Sequence, residues 1–292
     1  MKTSQMAAMA LILFVAEMPI WANDADDRTR PADIRFSPTV QQEIVVPVFI
    51  GRDGPYRFLL DTGSSHTAIS QTLATALGAV PVAKASIATS VQSIPTLVVR
   101  LPDVAVGSTH VNSLLATALP PDAASWLANG ISGVLGQDFL SQFDYTLDYR
   151  TSRLSWSDEG DIEKDVRLAL EPSRGRFLVH LPQNERCGCP LRLVPDSGAN
   201  GVVLFAGSRA DRLPVDSAVG SIRVGTLAGN GTARGVIIKQ LLVAPATLWD
   251  LPAARVVLPA GTVEDADGLL PLSLFARVTF RHREGYMAVQ AR

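Results

Sequence analysis

Two aspartates stand in the same small setting twice. Leu59-Leu60-Asp61-Thr62-Gly63-Ser64-Ser65 and Val194-Pro195-Asp196-Ser197-Gly198-Ala199-Asn200 each run from apolar residues into Asp-Thr/Ser-Gly, 135 residues apart. Hydrolysing a poor carbonyl electrophile at mild pH needs a base to activate water and an acid to polarise the carbonyl and protonate the leaving group. Two carboxylates that share one proton supply both roles. Like charges about 3 Å apart cannot both ionise easily, so one member holds the proton while the other stays charged.

The other reactive side chains form no rival pattern. His66, His110, His180, His282, Cys187 and Cys189 match no zinc or iron-sulfur spacing, so no metal and no other cofactor is expected. Residues 158–165 are acidic but lack the alternating ligands and terminal Glu of a calcium loop. There is no Gly-x-Ser-x-Gly elbow and no Cys/His signature from which a serine or cysteine hydrolase could start. Residues 225–235 are glycine-rich, yet their spacing fits no phosphate-binding loop and no capped helix follows. They read as a surface hairpin. His66 reads as a surface or packing residue, and the Cys187-Gly188-Cys189 ring would be strained if oxidised.

The elements that must position the aspartates are mostly strands, short runs of Val, Ile, Leu and Phe broken by Gly, Pro, Asn and Asp about every ten residues. Strands are expected at 43–50, 56–60, 96–101 and 145–149, with Asp53-Gly54 as the turn joining the first two. Helical signals are few: Ser70 can cap 71–77 with Gly78 as its stop, and 121–127 can form a second short helix. The halves share further landmarks at the same offset. Pro47 meets Pro182, Pro55 meets Pro190, Arg57 meets Arg192, and Gly133-Val134-Leu135-Gly136 meets Gly268-Leu269-Leu270-Pro271. With a gap of two, Thr146 to Arg150 aligns with Thr279 to Arg283. The pattern predicts an all-β internal duplication with a few short helices.

On these residues both halves resemble the lobes of the aspartic peptidase superfamily, pepsin-like and retropepsin-like. Asp61-Thr62-Gly63 with Val134-Leu135-Gly136 carries the likeness most closely, and the flanking Phe58-Leu59-Leu60 and Phe143 to Arg150 are retropepsin-like in particular. The resemblance implies a two-lobed acid-protease fold: an N-terminal lobe over 23–157, an acidic solvated linker over 158–165 and a C-terminal lobe over 166–292. It implies an aspartic endopeptidase acting through a shared water without a covalent intermediate. Asp61 and Asp196 would be catalytic. Gly63 and Gly198 would turn the chain tightly behind them, and the hydroxyls of Thr62 and Ser197 would bond across to the opposite loop. Ser64 could donate to the outer oxygen of Asp61, which Ala199 cannot do for Asp196; this predicts an asymmetric pair and a pH optimum less acid than pepsin's. Pro271, standing where the family has Gly, fixes φ, removes an N–H and marks the second half as divergent. Flap hairpins would be residues 224–235 and, less clearly, 86–95. Two alternatives follow: a peptide-binding or inhibitor-like module that no longer cleaves, and a homodimer pairing two first lobes.

Composition narrows the partners. The 292 residues are 47% apolar, with 26 basic against 28 acidic side chains and no long basic block, so nucleic acid is not an expected partner. A peptide or extended protein segment is. Lys2, an apolar run over 7–16 and the small residues before Asn23 read as a signal peptide spanning 1–22 with cleavage after Ala22. The mature chain, with no membrane span, is then expected as a secreted or periplasmic monomer.

Overall fold

A computed structural model describes residues 33–39, 43–88, 93–121, 130–156, 165–182, 190–226, 229–243 and 246–292. The expected signal peptide, nearly all of the expected helix 121–127, both cysteines and residues 158–164 of the expected linker lie outside the described residues.

The described residues are mostly strands, as the sequence pattern predicts, with the expected short helix at Gln71–Ala76 and an unexpected one at Gln137–Leu140. Phe58, Leu59 and Leu60 are buried as a continuous apolar run because the strand Asp53–Leu60 has a neighbour on each side. The strand Ile44–Ile50 pairs with it antiparallel and Gly133–Leu135 pairs with it parallel. Leu191–Asp196 is flanked in the same way by Arg176–Leu181 and Gly268–Pro271. The glycines that open the two parallel partners are required by close approach. A Cβ on Gly133 would lie 2.5 Å from the Ala68 carbonyl oxygen, and one on Gly268 2.0 Å from that of Val203.

The two large sheets repeat one order. From Asp53–Leu60 outward, the first runs through Gly133–Leu135, Ala68–Ser70, Leu115–Leu119 and Ser93–Arg100 to Pro81–Ala88. The second runs from Leu191–Asp196 through Gly268–Pro271, Val202–Phe205, Ala246–Val256 and Gly229–Val243 to Val215–Thr226. Both expected flap regions are therefore paired hairpins, Ala88 opposite Ser93 and Thr226 opposite Gly229, with tips outside the described residues. Among the described residues the first half alone adds the hairpin Asp103–Val106 and Thr109–Asn112. A six-stranded sheet joins the halves palindromically: Asp33–Arg35, Arg153–Ser155, Tyr145–Asp148, then Phe275–Arg281, Tyr286–Ala291 and Val166–Ala169. Its pseudo-twofold passes between Thr146 and Thr279, whose hydroxyls meet at 2.9 Å. This is the two-lobed duplication, and the two threonines that meet on the axis are the equivalents in the gapped alignment.

Three local expectations are corrected. The first hairpin turns at Gly51 and Arg52 rather than Asp53-Gly54, since Ile50 faces Asp53 and Gly51 adopts φ +60°. Val46 lies opposite Phe58 and Val179 opposite Leu193, so strands before these hairpins correspond at an offset of 133 although those after it correspond at 135. Pro47 therefore matches His180, not Pro182. Asp165, expected in a solvated linker, has a fully buried side chain and ion-pairs with Arg277 at 3.1 Å.

Near the palindromic sheet His282 is held among rings. It stacks on Phe280 at 13° and lies 4.8 Å from Phe177 and 5.8 Å from Tyr145, with both ring nitrogens buried and lacking hydrogen-bond partners among the described residues. Burial lowers its pKa from 6.5 to about 4, against a smaller opposing pull from Asp144. Between those values the unfolded chain binds a proton that the native chain does not. Acidification from about pH 6.5 to 4 should therefore remove about 3 kcal/mol of stability through this group, with no further loss from it below pH 4. His282→Phe is expected to flatten that loss, read from urea midpoints at pH 7 and 4.5; an unchanged difference between the two midpoints contradicts it.

Candidate active site

Asp61 and Asp196 come from the ends of the two equivalent buried strands, where each chain leaves its sheet. Asp61 donates its backbone N–H to Leu135 O, and Asp196 pairs in the ladder with Pro271. Each carboxylate then folds back on its own loop. Asp61 Oδ1 accepts from the N–H groups of Gly63 and Ser64 at 2.9 and 3.1 Å; Asp196 Oδ1 accepts from those of Gly198 and Ala199 at 2.8 and 3.0 Å. The two carboxyls face each other across the pseudo-twofold, each against the glycine of the opposite loop.

The residues after the aspartates hold the loops together. Thr62 Oγ1 donates to Pro195 O at 2.8 Å and accepts the Ser197 N–H at 3.0 Å. Reciprocally, Ser197 Oγ donates to Leu60 O at 2.7 Å and accepts the Thr62 N–H at 3.0 Å. Both side chains are buried, and the four hydrogen bonds satisfy two hydroxyls, two N–H groups and two carbonyls between the halves. The glycines permit the approach. A Cβ on Gly63 would lie 2.5 Å from Asp196 Cγ, and one on Gly198 3.0 Å from Asp61 Cγ. What demands glycine there is the opposite carboxyl, more than the tightness of the turn.

Burial dominates the electrostatics. It raises the pKa of Asp61 well above the ordinary carboxylate value, helped by the charge of Asp196 and opposed by the N–H groups of Gly63 and Ser64. Asp196 is 8% exposed, and burial raises it too, against the N–H of Gly198, the bond from Asp61, the N–H of Ala199 and the Arg176 charge. The pair thus keeps its shared proton to higher pH than a free carboxyl would.

Two expectations change here. Ser64 does not donate its hydroxyl to Asp61; the hydroxyl donates to His66 O at 2.9 Å, which is nearer along the chain. Ser64 serves Asp61 through its backbone. Pro271 is accommodated at φ −66°, the value its ring dictates. Its counterpart Gly136 must be small because the His66 backbone would meet a Cβ at 2.5 Å, whereas Gly201, at the place of His66 in the second half, has nothing within 4 Å of its own Cβ position.

One supporting residue escaped the sequence reading. Gln137 is buried, donating its side-chain N–H to Thr62 O and its backbone N–H to Ser64 O, both at 2.9 Å. The adjacent Asp138 accepts from the N–H and hydroxyl of Thr67 at 2.8 and 2.6 Å, fixing the far end of the same loop. The corresponding residue in the second half is Leu272, which cannot reproduce the amide. A depression of ≈ 500 Å³ beside Ser208, Arg209 and Glu264 shares no residue with the aspartate pair.

Residues 46–139 match the aspartyl protease family, described as "Aspartyl protease". A retropepsin-like aspartic protease from Rickettsia conorii is similar in structure at 16% identity and a TM-score of 0.31, over 42% of this chain and 87% of that one. A search of curated proteins finds no match. The family match spans the first tripeptide, Gly133 to Gly136 and Gln137, and over those residues it bears out the resemblance to aspartic peptidases.

Proposed function

We propose that this chain is a single-chain aspartic endopeptidase whose Asp61 and Asp196 activate a water against a peptide carbonyl. The observation that carries this reading is the reciprocal Thr62–Ser197 lock, which holds the two carboxyls face to face, each against the opposite glycine. The ionised member takes a proton from water as it attacks. The protonated member donates to the carbonyl oxygen, giving a neutral gem-diol. The proton taken from water then passes to the departing nitrogen as the C–N bond breaks, while the other carboxylate recovers a proton from a gem-diol hydroxyl, restoring the starting pair. No enzyme–substrate bond forms. An extended segment suits the site because hairpins flank both halves, and strand-like substrates bind through main-chain hydrogen bonds. The leader composition of residues 1–22 supports action outside the cytoplasm, in the periplasm or medium. Among the described residues no helix is long and apolar enough to cross a membrane.

The test is cleavage-site mapping by mass spectrometry. The purified chain is incubated with a diverse peptide pool from about pH 3 to 8 beside Asp61→Asn. Cuts made by the parent and missing with the variant are expected. Folded parent that cuts nothing across this range would overturn the peptidase and leave a peptide-binding module.

A further inference from the structure

The hydrogen bonds around the two aspartates are nearly twofold symmetric, so they give neither carboxyl a preference for the proton. The surroundings are not symmetric. In the second half a hairpin, Glu171–Ser173 with Arg176–Leu181, turns through Arg174 and Gly175, both in the left-handed region at φ 51° and 76°. Its tip rests on the opposite half: a Cβ on Gly175 would lie 3.1 Å from Ser65 Cβ, four residues beyond Asp61. Arg176 leaves this turn with its guanidinium 2.6 Å from Glu264, the two side chains 17% and 13% exposed. Glu264 is itself fixed, its other oxygen accepting the N–H groups of Asp265 and Ala266, while Asp265 accepts from Ser173 and Arg174. The segment so clamped leads into Gly268–Pro271, the parallel neighbour of the Asp196 strand.

The ladders identify what the first half has instead. With Val46 in the place of Val179, the residue in the place of Arg176 is Glu43, whose carboxylate accepts from Thr39 at 2.9 Å. The duplication has reversed the charge at this position. On the reading of Asp61 and Asp196 as a working pair, we propose that Arg176 sets its proton order, holding Asp196 as the carboxylate that activates water and leaving the shared proton on Asp61. Counted on from Val179 opposite Leu193, the antiparallel register brings Arg176 level with Asp196 on the neighbouring strand, as it brings Glu43 level with Asp61. The other groups acting on Asp196 are Asp61 across the axis and the Tyr149 phenol just past the strand Tyr145–Asp148, and Glu264 faces Arg176. Tyr149 is neutral throughout the working range, because burial raises its pKa. Arg176 is thus the one cation among these groups, a positioning residue that acts through Asp196. It does not act on substrate.

Arg176→Gln and Glu264→Gln should have opposite effects, since one removes the cation and the other removes the charge that partly neutralises it. Carboxyl ¹³C NMR on the full chain with labelled aspartate reads this without needing turnover. In an Asp61→Asn background Asp196 titrates without its coupled partner. There Arg176→Gln is expected to raise its midpoint by about half a unit or more, and Glu264→Gln to lower it. In an Asp196→Asn background the Asp61 midpoint should move less. In the otherwise parent enzyme the acid limb of kcat/KM should rise by the same amount, a loss of about threefold on the acid side with little change at the plateau, and Arg176→Lys should restore it. An Asp196 midpoint that Arg176→Gln leaves in place, or that both variants move in one direction, overturns the proposal. Should Arg176→Gln fail to fold, Glu264→Gln decides alone, an unmoved midpoint counting against. A shifted midpoint in a parent chain that cleaves nothing would keep the electrostatic role and remove the peptidase reading.

Discussion

Asparagine at position 196 is expected to lower kcat/KM by about a thousandfold or more while leaving the fold intact. The substitution is nearly isosteric, and the amide oxygen can still accept from the N–H groups of Gly198 and Ala199, which hold the carboxylate now. On the proposed reading, what it removes is the charge that takes a proton from water. The choice of Asp196 over Asp61 matters because it separates two assemblies. If two chains paired their first halves and the second half were only a scaffold, Asp61 would meet the Asp61 of another copy and Asp196→Asn would keep most activity. The lock argues for the other outcome. Thr62 has already spent its hydroxyl and N–H on Pro195 and Ser197 of its own chain, and the place beside Gly63 that a second Asp61 would need is filled by Asp196. Initial rates on a peptide identified by cleavage mapping, with circular dichroism to verify folding, decide the matter. Activity within tenfold of the parent would mean that the working pair is formed differently.

The features legible in the sequence are those set by short stretches of chain. The two tripeptides and their downstream Gly-apolar segments are local, and so is the Ser70 cap, whose hydroxyl accepts from the Leu73 N–H at 3.0 Å at the start of Gln71–Ala76. The gapped comparison of the halves also made Thr146 and Thr279 equivalent, though that they face each other on the axis is seen only in the ladder. What stayed hidden depends on distance along the chain or on register. Gln137 reaches the Thr62 carbonyl 75 residues away, and a lone glutamine after a glycine carries no signal of that. Comparison of the halves could have flagged it, because Leu272 breaks the repeat there. The opposition of Glu43 and Arg176 was obscured by the change of offset across the hairpin, which only the ladders reveal. Ser64 shows a different limit. A hydroxyl three residues from a carboxylate has several acceptors within reach, and the His66 carbonyl captured it.

Loss of the Thr62 hydroxyl should show what the lock contributes. Thr62→Val keeps shape and burial but leaves the Ser197 N–H and the Pro195 carbonyl without their partner in a site that is 1% exposed at Thr62 and 2% at Ser197. Each buried orphan costs about 1–3 kcal/mol, so stability should fall by about 2–5 kcal/mol, visible as a lower urea midpoint. Activity should fall with it, for a reason separate from unfolding. The bonds that Thr62 makes are the ones that fix the loop of Asp61 against the loop of Asp196, and a displacement of about 1 Å between reacting groups can cost about a hundredfold in rate. Thr62→Ser retains the hydroxyl and is expected to recover most of both losses. Measured at a urea concentration where the variant is fully native, kcat/KM distinguishes the two effects. A Thr62→Val chain that is destabilised yet cleaves at the parent rate would show that the lock only joins the halves, and that the two carboxyls are aligned by their own backbone N–H groups and by contact with the opposite glycines.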